Sequence, residues 1–473
     1  MLQKPPLCVD LDGTLTLSDT MAEALFTLLK DKPFMALHVF RWMKSGKGAG
    51  KHEIASRAEL VVDLLPYNEA LIEYLKHERQ NGRKLYLVTG SNEKFARMVA
   101  EHIGLFDDVI ASSKARGMTG SDKAAALIDR FGEGKFAYAG NSMADLIVWK
   151  HASERILVNT SRGVAEAAKK LGPISQTIGE HRLSLKVFLR SIRWHQWIKN
   201  LLIFVPLLTA HQIFNIPALG MAGFAFISFS AIASAVYLLN DLVDLPADRQ
   251  NPHKKHRPLA SGKMTIKTAL ISGLTLGILS LLITLLLPLP FLWLILIYIV
   301  LNLAYSLRLK KVIALDVILI TSLYVLRIFA GSAATGIPVS PWLLLFAALI
   351  FFSLALIKRV SEISNLEESG RKKATGRGYT VTHRKPLTIL GLICSYLSLG
   401  VLALYITSPA VTPLYTTPIL LWLLIPIFFL GLQRMWNVTN AGSMHEDPTV
   451  YAGKDWFSYA AAVITIMILF FAA

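Results

Sequence analysis

Cysteine is almost absent from this sequence, with only Cys8 and Cys394 among 473 residues. Two distant thiols provide no disulfide framework, which excludes a small disulfide-stapled secreted fold and fits a reducing compartment. The first 14 residues run straight into an apolar strand pattern and lack the basic and long apolar regions of a secretory leader. We therefore expect no cleaved signal peptide.

Acidic residues are also scarce, with 32 Asp and Glu against 49 Lys and Arg, for a net charge of +17. In a soluble protein this excess would suggest nucleic acid. Here, however, 53% of the residues are hydrophobic and the mean hydropathy is +0.47, too apolar for an ordinary soluble enzyme. The positive-inside rule explains the charge, so we expect membrane lipid and no nucleic acid as a partner.

The apolar residues are concentrated in the second part of the chain. This pattern predicts a soluble domain over 1–172, a linker with an amphipathic interfacial helix over 173–199, and a membrane domain over 200–473. The predicted fold is a soluble α/β Rossmann-like domain with a helical cap at about 19–80, followed by an all-α bundle of about nine transmembrane helices. The expected spans are 200–217, 219–240, 265–287, 289–306, 313–332, 341–358, 387–407, 417–433 and 456–472.

Basic residues in alternate loops predict the orientation. They occur near 249–263, 308–311, 358–385 and 434–454, whereas the intervening loops carry no Lys or Arg. The basic loops, and with them the soluble domain, are expected on the cytoplasmic side of an inner membrane. With nine spans, the C-terminus would lie outside.

Polar residues follow three predicted strands of the soluble domain, Leu7–Leu11, Lys84–Val88 and Phe136–Ala139. Strands that alternate with helices predict a parallel sheet, whose carboxyl edge binds ligands. Asp10 and Asp12, at the end of the first strand, should repel each other unless a cation such as Mg²⁺ lies between them.

Three later residues complete a phosphate site. Thr89 offers a hydroxyl group, Lys123 a positive charge and Asp145 a further carboxylate for Mg²⁺. The four motifs, in this order over about 6–170, resemble the haloacid dehalogenase phosphatase superfamily.

The resemblance implies roles for these residues. Asp10 would be the nucleophile that forms an aspartyl phosphate, Asp12 the general acid and base, and Thr89 and Lys123 the ligands of the transferring phosphoryl group. The implied metal ligands are Asp10, Asp12, Asn141 and Asp145. Asn141 replaces the usual acid and binds metal more weakly, which leaves open a degenerate domain that binds phosphate without turnover.

The second predicted span ends in a polar motif that begins at Asn240. Asp241, Asp244 and Asp248 fall at i, i+3 and i+7, on one helical face, and the basic run His253–Arg257 follows. Mg²⁺ that bridges a diphosphate would explain both features, with the carboxylates as metal ligands. The predicted substrate ligands here are Asn240, Lys254, Lys255 and Arg257, and the predicted catalytic residues are Asp241 and Asp244.

This NDxxDxxxD pattern resembles the UbiA superfamily of intramembrane prenyltransferases, over about 185–473. The second DxxxD motif of that superfamily is missing, because Asp316 stands alone after a segment rich in Tyr and Lys. With 325–342 and 357–363, this departure resembles one branch, the decaprenyl-phosphate phosphoribosyltransferases; residues 445–455 also resemble it, without an assignable role. Further predicted substrate ligands are Tyr305, Lys310, Asp316, Arg327 and Lys358.

Three functions follow as hypotheses. In the first, a bifunctional Mg²⁺-dependent enzyme moves 5-phosphoribose from phosphoribosyl diphosphate to a polyprenyl phosphate, and its soluble domain dephosphorylates the product or another phosphomonoester. The second is prenyl transfer from a prenyl diphosphate to an aromatic acceptor. The third is a non-enzymatic lipid transporter with a phosphate-sensing domain. Chain length of the lipid and oligomeric state stay open.

Overall fold

The structure is a computed structural model. It describes residues 4–44, 47–113, 117–118, 120–180, 183–252, 254–368, 378–408, 415–444 and 448–472. Three features of the sequence lie outside the described residues: His253, the basic stretch 369–377 and residues 445–447 of the segment that resembles the phosphoribosyltransferase branch.

The chain divides into two compact units, each described here by itself. The first comprises Met1–Ile192 and Tyr237–Gly273, and the second comprises Arg193–Val236 and Leu274–Ala473. The loop that carries the acidic motif therefore belongs to the same unit as the soluble domain.

The first unit is built on a six-stranded parallel sheet in the order β3-β2-β1-β4-β5-β6. The strands are β1 Leu7–Val9, β2 Leu85–Asn92, β3 Asp108–Ser112, β4 Ala137–Gly140, β5 Glu154–Thr160 and β6 Gln176–Glu180. The three residues of β1 are fully buried, as expected for a strand covered on both faces. The predicted parallel α/β domain is confirmed, and β6 continues the sheet past residue 172.

The order of the strands places three predicted motifs side by side. In the central strand β1, Val9 pairs with Leu87 of β2 on one side and with Ala139 of β4 on the other. Because all three strands are parallel, their carboxyl ends meet at one edge, where ligands of open α/β sheets bind.

Helices surround this sheet. Those of the first unit are α1 Thr20–Asp31, α2 Ala36–Lys44, α3 Lys47–Arg57, α4 Glu69–Gln80, α5 Glu93–Ile103, α6 Gly120–Phe131, α7 Leu146–His151, α8 Arg162–Lys169 and α9 Leu185–Ser191. Helices α1 to α4 fill the segment predicted as a cap. Asp19 caps α1, since its carboxylate accepts a hydrogen bond from the Ala22 amide at 2.8 Å.

The remaining helices are mostly long and apolar. They are α10 Val205–Thr209, α11 Ile216–Val243, α12 Leu245–Gln250, α13 Ile266–Thr284, α14 Leu289–Leu307, α15 Leu315–Thr335, α16 Pro341–Glu368, α17 Arg384–Ile406, α18 Leu424–Asn440, α19 Pro448–Ala452 and α20 Trp456–Ala472. Helix α11 runs from the second unit into the first.

Seven helical segments among the described residues are long and apolar enough to cross a membrane, so this is an integral membrane protein. The predicted count of nine is not confirmed. The first predicted span, 200–217, instead contains the end of a 3₁₀ helix, Trp194–Phe204, and the five-residue α10. The last, α20, has 17 residues.

The predicted amphipathic helix over 183–199 is interrupted. Helix α9 ends at Ser191, and Arg193 has a φ of +53°, a left-handed conformation that a continuous α-helix does not contain. The 3₁₀ helix then begins at Trp194. A break in the backbone thus divides the segment that periodicity predicts as one helix.

Small hydroxyl residues join helices in the second unit. Ser353 on α16 and Ser395 on α17 lie 2.7 Å apart, and the Trp436 indole of α18 donates to both at 3.2 and 3.1 Å. A Cβ at Gly391 would come within 2.1 Å of the Trp436 ring. The glycine therefore lets α17 and α18 approach closely, as small residues do between membrane helices.

Candidate active sites

The phosphate site predicted in the soluble domain is assembled at the sheet edge. The Asp10 amide donates to the Ala139 carbonyl at 2.9 Å, which fixes the end of β1 beside β4. From α6, the Lys123 ammonium donates to Asp10 Oδ1 at 2.6 Å and lies 4.0 Å from Asp145 Oδ1. A lysine thus lies between two carboxylates, as the sequence predicts for a charge that reaches into the site.

Burial dominates the electrostatics of this site. It raises the pKa of Asp10 to about 7, against the opposing effect of the Lys123 charge. The charges of Asp10 and Asp145 raise the pKa of Lys123 although burial alone would lower it. A carboxylate this deeply buried needs positive charge nearby to stay ionised at neutral pH.

Asp12 is held in a fixed orientation by hydroxyl groups. Its Oδ1 accepts hydrogen bonds from the amide and hydroxyl of Thr20, both at 2.8 Å, and its Oδ2 accepts one from Ser91 at 2.7 Å. Thr89 is fully buried and accepts from the Ser91 amide at 3.0 Å. Asp12 and Thr89, predicted from separate motifs, are therefore connected through Ser91.

Asp145 is anchored by its own loop. Its Oδ2 accepts from the amides of Asn141 and Ser142 and from the Ser142 hydroxyl at 2.8–3.0 Å, and Tyr138 donates to Oδ1 at 2.9 Å. A Cβ on Gly13, whose φ is +80°, would come within 2.0 Å of the Asn141 amide nitrogen. Only glycine fits where the β1 loop passes Asn141.

Two acids of the second motif converge on one cation. The Arg257 guanidinium nitrogen Nη1 donates to Asp241 at 3.1 Å and to Asp248 at 2.6 Å, and Lys254 lies 3.9 Å from Asp248. Burial raises the pKa of Asp248, whereas the neighbouring Arg257 lowers it. Asp241 near the end of α11 and Asp248 in α12 thus meet at one cation, although two helices carry them rather than the single helical face that the sequence predicts.

The third acid of this motif, Asp244, has a different partner. Helix α11 ends at Val243, and Asp244 is the N-cap of α12, which has a proline in its first turn. The Asp244 carboxylate accepts from Lys30 of α1 at 2.9 Å. Asp244 thus differs from Asp241 and Asp248, which meet at Arg257.

In the second unit, the lone Asp316 is buried in an ion pair. Its Oδ2 lies 2.6 Å from Nε of Arg359, and Tyr379 donates to its other oxygen. Arg359 also donates to Tyr305 at 3.1 Å and pairs with Glu362. Tyr305 and Asp316 are thus brought to one centre by Arg359, the neighbour of the predicted Lys358.

Arg327 lies in the middle of α15 and is buried among aromatic rings. Its Nε donates to the Asn200 side-chain oxygen at 2.8 Å. Its guanidinium carbon lies 5.1, 5.4 and 5.7 Å from the ring centroids of Phe229, Tyr298 and Tyr324. These contacts within the protein accommodate the intramembrane charge without a ligand.

The other predicted substrate residues lie around these centres. Asn240 is half-buried in the last turns of α11, and Lys254 and Lys255 are exposed in a 3₁₀ helix, Lys254–His256. Lys310 and Lys358 are half-buried in the second unit. Their roles in substrate binding stay predictions.

Sequence reasoning missed four residues that orient the acids, Thr20, Ser91, Tyr138 and Tyr379, and considered Arg359 only as a possible phosphate ligand. Ser91 carried a signal, because it follows Thr89 at the end of a strand whose edge binds ligands. Arg359 carried one too, as a charge within an apolar span. Tyr379 and Tyr138 had none, since their partners depend on packing.

Both acidic sites in the first unit offer the oxygen ligands that Mg²⁺ prefers. Among the described residues there is no group of three or more His, Cys, Asp or Glu side chains arranged around one metal position. Pairs are present, however: Asp10 and Asp145 both lie within 4.0 Å of Lys123 Nζ, and Asp241 and Asp248 both contact Arg257. The Asp145 oxygens accept four hydrogen bonds in this structure, and the role of Asp145 as a metal ligand stays a prediction.

The two folds and their acidic sites define a class of protein, a soluble hydrolase-type α/β domain fused to a polytopic membrane enzyme domain. Residues 7–148 match the haloacid dehalogenase-like hydrolases, and residues 201–459 match the UbiA prenyltransferase family. The chain belongs to the UbiA prenyltransferase family.

Two relatives and one solved structure illustrate the similarity. Uncharacterized protein y4nM of Sinorhizobium fredii is 35% identical over 96% of this chain and 89% of its own length. Decaprenyl-phosphate phosphoribosyltransferase of Mycobacterium tuberculosis is 33% identical over 45% of this chain and 72% of its own. A UbiA homolog from Archaeoglobus fulgidus bound to GPP and Mg²⁺ shares 18% identity over 60% of this chain and 98% of its own, with a TM-score of 0.46.

Proposed function

We propose that the membrane domain transfers 5-phosphoribose from phosphoribosyl diphosphate to a polyprenyl phosphate, and that the soluble domain removes phosphate from the product or from another phosphomonoester. The lipid phosphate oxygen attacks the anomeric carbon, the bond from that carbon to the diphosphate breaks, and pyrophosphate leaves. The product is a polyprenyl phosphoribose 5-phosphate.

The observation that carries this proposal is the Asp316–Arg359 pair. Where the UbiA superfamily has a second acidic pair, this chain has one carboxylate that is already neutralised by arginine at 2.6 Å. A carboxylate that is already paired with arginine is not available as a ligand for a second Mg²⁺. The 33% identity to a decaprenyl-phosphate phosphoribosyltransferase supports the same donor and acceptor.

In the acidic motif, we assign Asp241, Asp244 and Asp248 to Mg²⁺ and Arg257 with Lys254 and Lys255 to phosphate oxygens. The metal would supply positive charge to the departing diphosphate. Arg257 Nη1 lies between two of these acids in this structure, so it would move aside for Mg²⁺ and turn its donors toward phosphate.

In the soluble domain, we assign Asp10 as the nucleophile. Its carboxylate attacks phosphorus, the ester bond breaks and the leaving alcohol takes a proton from Asp12, which later accepts one from the water that hydrolyses the aspartyl phosphate. Lys123 holds Asp10 and the transferring group, while Thr20 and Ser91 keep Asp12 directed into the site. We assign Mg²⁺ here to Asp10, Asn141 and Asp145.

The two reactions fit in sequence. Transfer leaves a phosphomonoester on the sugar, and a phosphatase on the same chain meets it at raised effective concentration. The basic residues of the loops support a cytoplasmic location for both sites.

Purified protein supplied with Mg²⁺, a polyprenyl phosphate and labelled phosphoribosyl diphosphate tests the proposal. We expect a lipid-linked pentose by mass spectrometry, and the 5-phosphorylated form from Asp10→Asn. A prenylated aromatic product from a prenyl diphosphate donor would replace this function with the alternative transferase. The absence of Mg²⁺-dependent turnover with either donor would favour a transporter.

A further inference from the structure

Helix α1 of the cap contacts both acidic sites of the first unit. Its first residue, Thr20, donates twice to Asp12 of the soluble site. Further along the same helix, Glu23 and Lys30 contact the loop that follows α11. One 12-residue helix therefore connects two motifs that are more than 200 residues apart in the sequence.

The first of these contacts is a buried ion pair. Arg249 donates to both carboxylate oxygens of Glu23 at 2.6 and 2.7 Å, and its Nε donates to the Ala260 carbonyl at 3.0 Å. The side chains of Arg249 and Glu23 are 6% and 5% exposed. A bidentate ion pair that is almost completely buried has a fixed geometry, and loss of either partner leaves an unpaired buried charge.

The position of Arg249 explains how this ion pair can affect the orientation of Asp248. Arg249 directly follows Asp248 in α12, a helix of six residues. Adjacent helical residues point about 100° apart. While Glu23 holds Arg249 on one side, Asp248 is therefore directed elsewhere, where it meets Arg257 at 2.6 Å.

The second contact is exchangeable. Lys30 donates to Asp244 at 2.9 Å, and the two side chains are 35% and 26% exposed. Half-exposed pairs are weak in water, so a cation or a phosphate can compete for either partner.

Close backbone packing accompanies the two ion pairs. Gly262 has a φ of +73°, and a Cβ there would come within 2.5 Å of Leu17 Cβ and 3.3 Å of Pro66 Cβ. The loop after the acidic motif thus lies directly against Leu17, just before α1, and against Pro66, just before α4.

We propose that α1 is a positioning element of the acidic motif, through which the soluble domain becomes part of the transferase. Glu23 orients Asp248 by fixing Arg249, and Lys30 occupies Asp244 until a divalent cation or diphosphate displaces it. This inference rests on the proposed function for its readout of transfer, but the contacts are testable without it.

A charge-swap cycle in the full chain tests the buried pair. Glu23→Arg and Arg249→Glu should each lower phosphoribosyl transfer at least about tenfold, chiefly through the KM for Mg²⁺, because an unpaired buried charge displaces the loop. The double variant should recover to within about threefold of the original chain, since coupled residues compensate each other. Glu93→Arg is the matched control, because its pair with Arg97 is exposed and should leave transfer unchanged.

Thermal unfolding of the same four variants in detergent gives a readout that does not depend on the reaction. Each single reversal should lower Tm, and the double variant should regain most of the loss. If the effects of the two reversals simply add, the buried pair does not exist in solution and the proposal fails. If the original chain transfers no phosphoribose while Tm shows coupling, the proposed function fails and the contact stands.

Lys30 is tested by metal binding. Calorimetric titration of Mg²⁺ into Asp10→Asn, which weakens the soluble metal site, is compared with the same chain carrying Lys30→Met. Removal of a competing ammonium group should tighten binding by about threefold or more. Unchanged or weaker binding would overturn the assignment of Lys30 as a displaceable occupant of Asp244.

Discussion

The phosphate site of the soluble domain and the acidic motif loop each contain two carboxylates that share one cation, but the cation differs between them. In the soluble site a lysine, Lys123, lies between Asp10 and Asp145. In the loop an arginine, Arg257, lies between Asp241 and Asp248. The cation is 10% exposed in the first case and 30% exposed in the second.

This difference in exposure distinguishes a charge that the protein encloses from one that is partly open to solvent. Lys123 is a compact charge held in the interior, and its removal would leave buried carboxylates unpaired. Arg257 has a planar group with five donors, part of which faces solvent, so it can hold acids and phosphate together. We infer that the soluble site is preformed, whereas the loop rearranges when it binds a diphosphate.

The buried Asp316–Arg359 pair of the second unit extends this comparison. Its partners are 0% and 1% exposed, which makes it the most enclosed of the three. An enclosed pair inside a bundle has no water to replace a lost partner. We therefore expect it to fix the arrangement of α15 and α16 rather than to open during the reaction.

The largest expected effect is on phosphatase activity, after a substitution that disables only the phosphate site of the soluble domain. Asp10→Asn should lower phosphatase activity at least about 10³-fold, because the amide is not a nucleophile. Phosphoribosyl transfer should stay within about twofold, since the motif retains its own acids. Hydrolysis of p-nitrophenyl phosphate and formation of labelled lipid measure the two activities. A parallel fall in both would show that the sites are not separable.

The next largest effect is on transfer, after a substitution that disables only the acidic motif loop. Asp241→Asn should lower transfer at least about 100-fold, beyond what loss of an outer-shell metal partner typically costs, while phosphatase activity is retained. The same two assays measure it, with exposed Glu93→Gln as the control. Full transfer by Asp241→Asn would remove this residue from the site.

A smaller effect is expected from substitution of Arg257, the more exposed of the two cations. Arg257→Met should raise the KM for phosphoribosyl diphosphate about tenfold, the worth of one hydrogen bond to a charged group, with little change in kcat. Arg257→Lys should recover part of this loss, because it keeps the charge but not the fork. Initial rates over a range of donor concentrations separate the two constants. An effect on kcat alone would contradict a binding role.

The smallest effect concerns stability and pH. The pKa of Asp10 is raised by folding from 3.8 to about 7. The folded protein thus binds this proton more tightly, so its stabilising contribution is complete below pH 4 and is lost as the pH rises through 7.

Without Mg²⁺, Tm should therefore fall between pH 5 and 8 more steeply in the original chain than in Asp10→Asn. A change of 1 kcal/mol moves Tm by about 2–4 °C in a domain of this size. Thermal unfolding of both chains in detergent measures the difference in slope. Equal slopes would show that Asp10 keeps an ordinary pKa in the folded protein.

Much of the fold was predictable because it depends on local patterns. The alternation of strands and helices identified the parallel sheet, and long apolar runs identified most of the membrane helices. The count of nine spans is not confirmed, since hydropathy does not show that Trp194–Phe204 is a 3₁₀ helix or that α10 ends at Thr209. Strands β3, β5 and β6 were not predicted from the sequence, because they are partly exposed and no motif follows them.

The sequence by itself determined which acids this protein carries and where they stand, at the ends of strands and at the end of a membrane helix. Only the tertiary structure decided their partners. Asp244 contacts Lys30, whereas Asp241 and Asp248 share Arg257, and Asp316 of α15 pairs with Arg359 of α16. The reason is geometric. Adjacent residues on a helix point about 100° apart, and which of them meets a carboxylate depends on how distant segments pack.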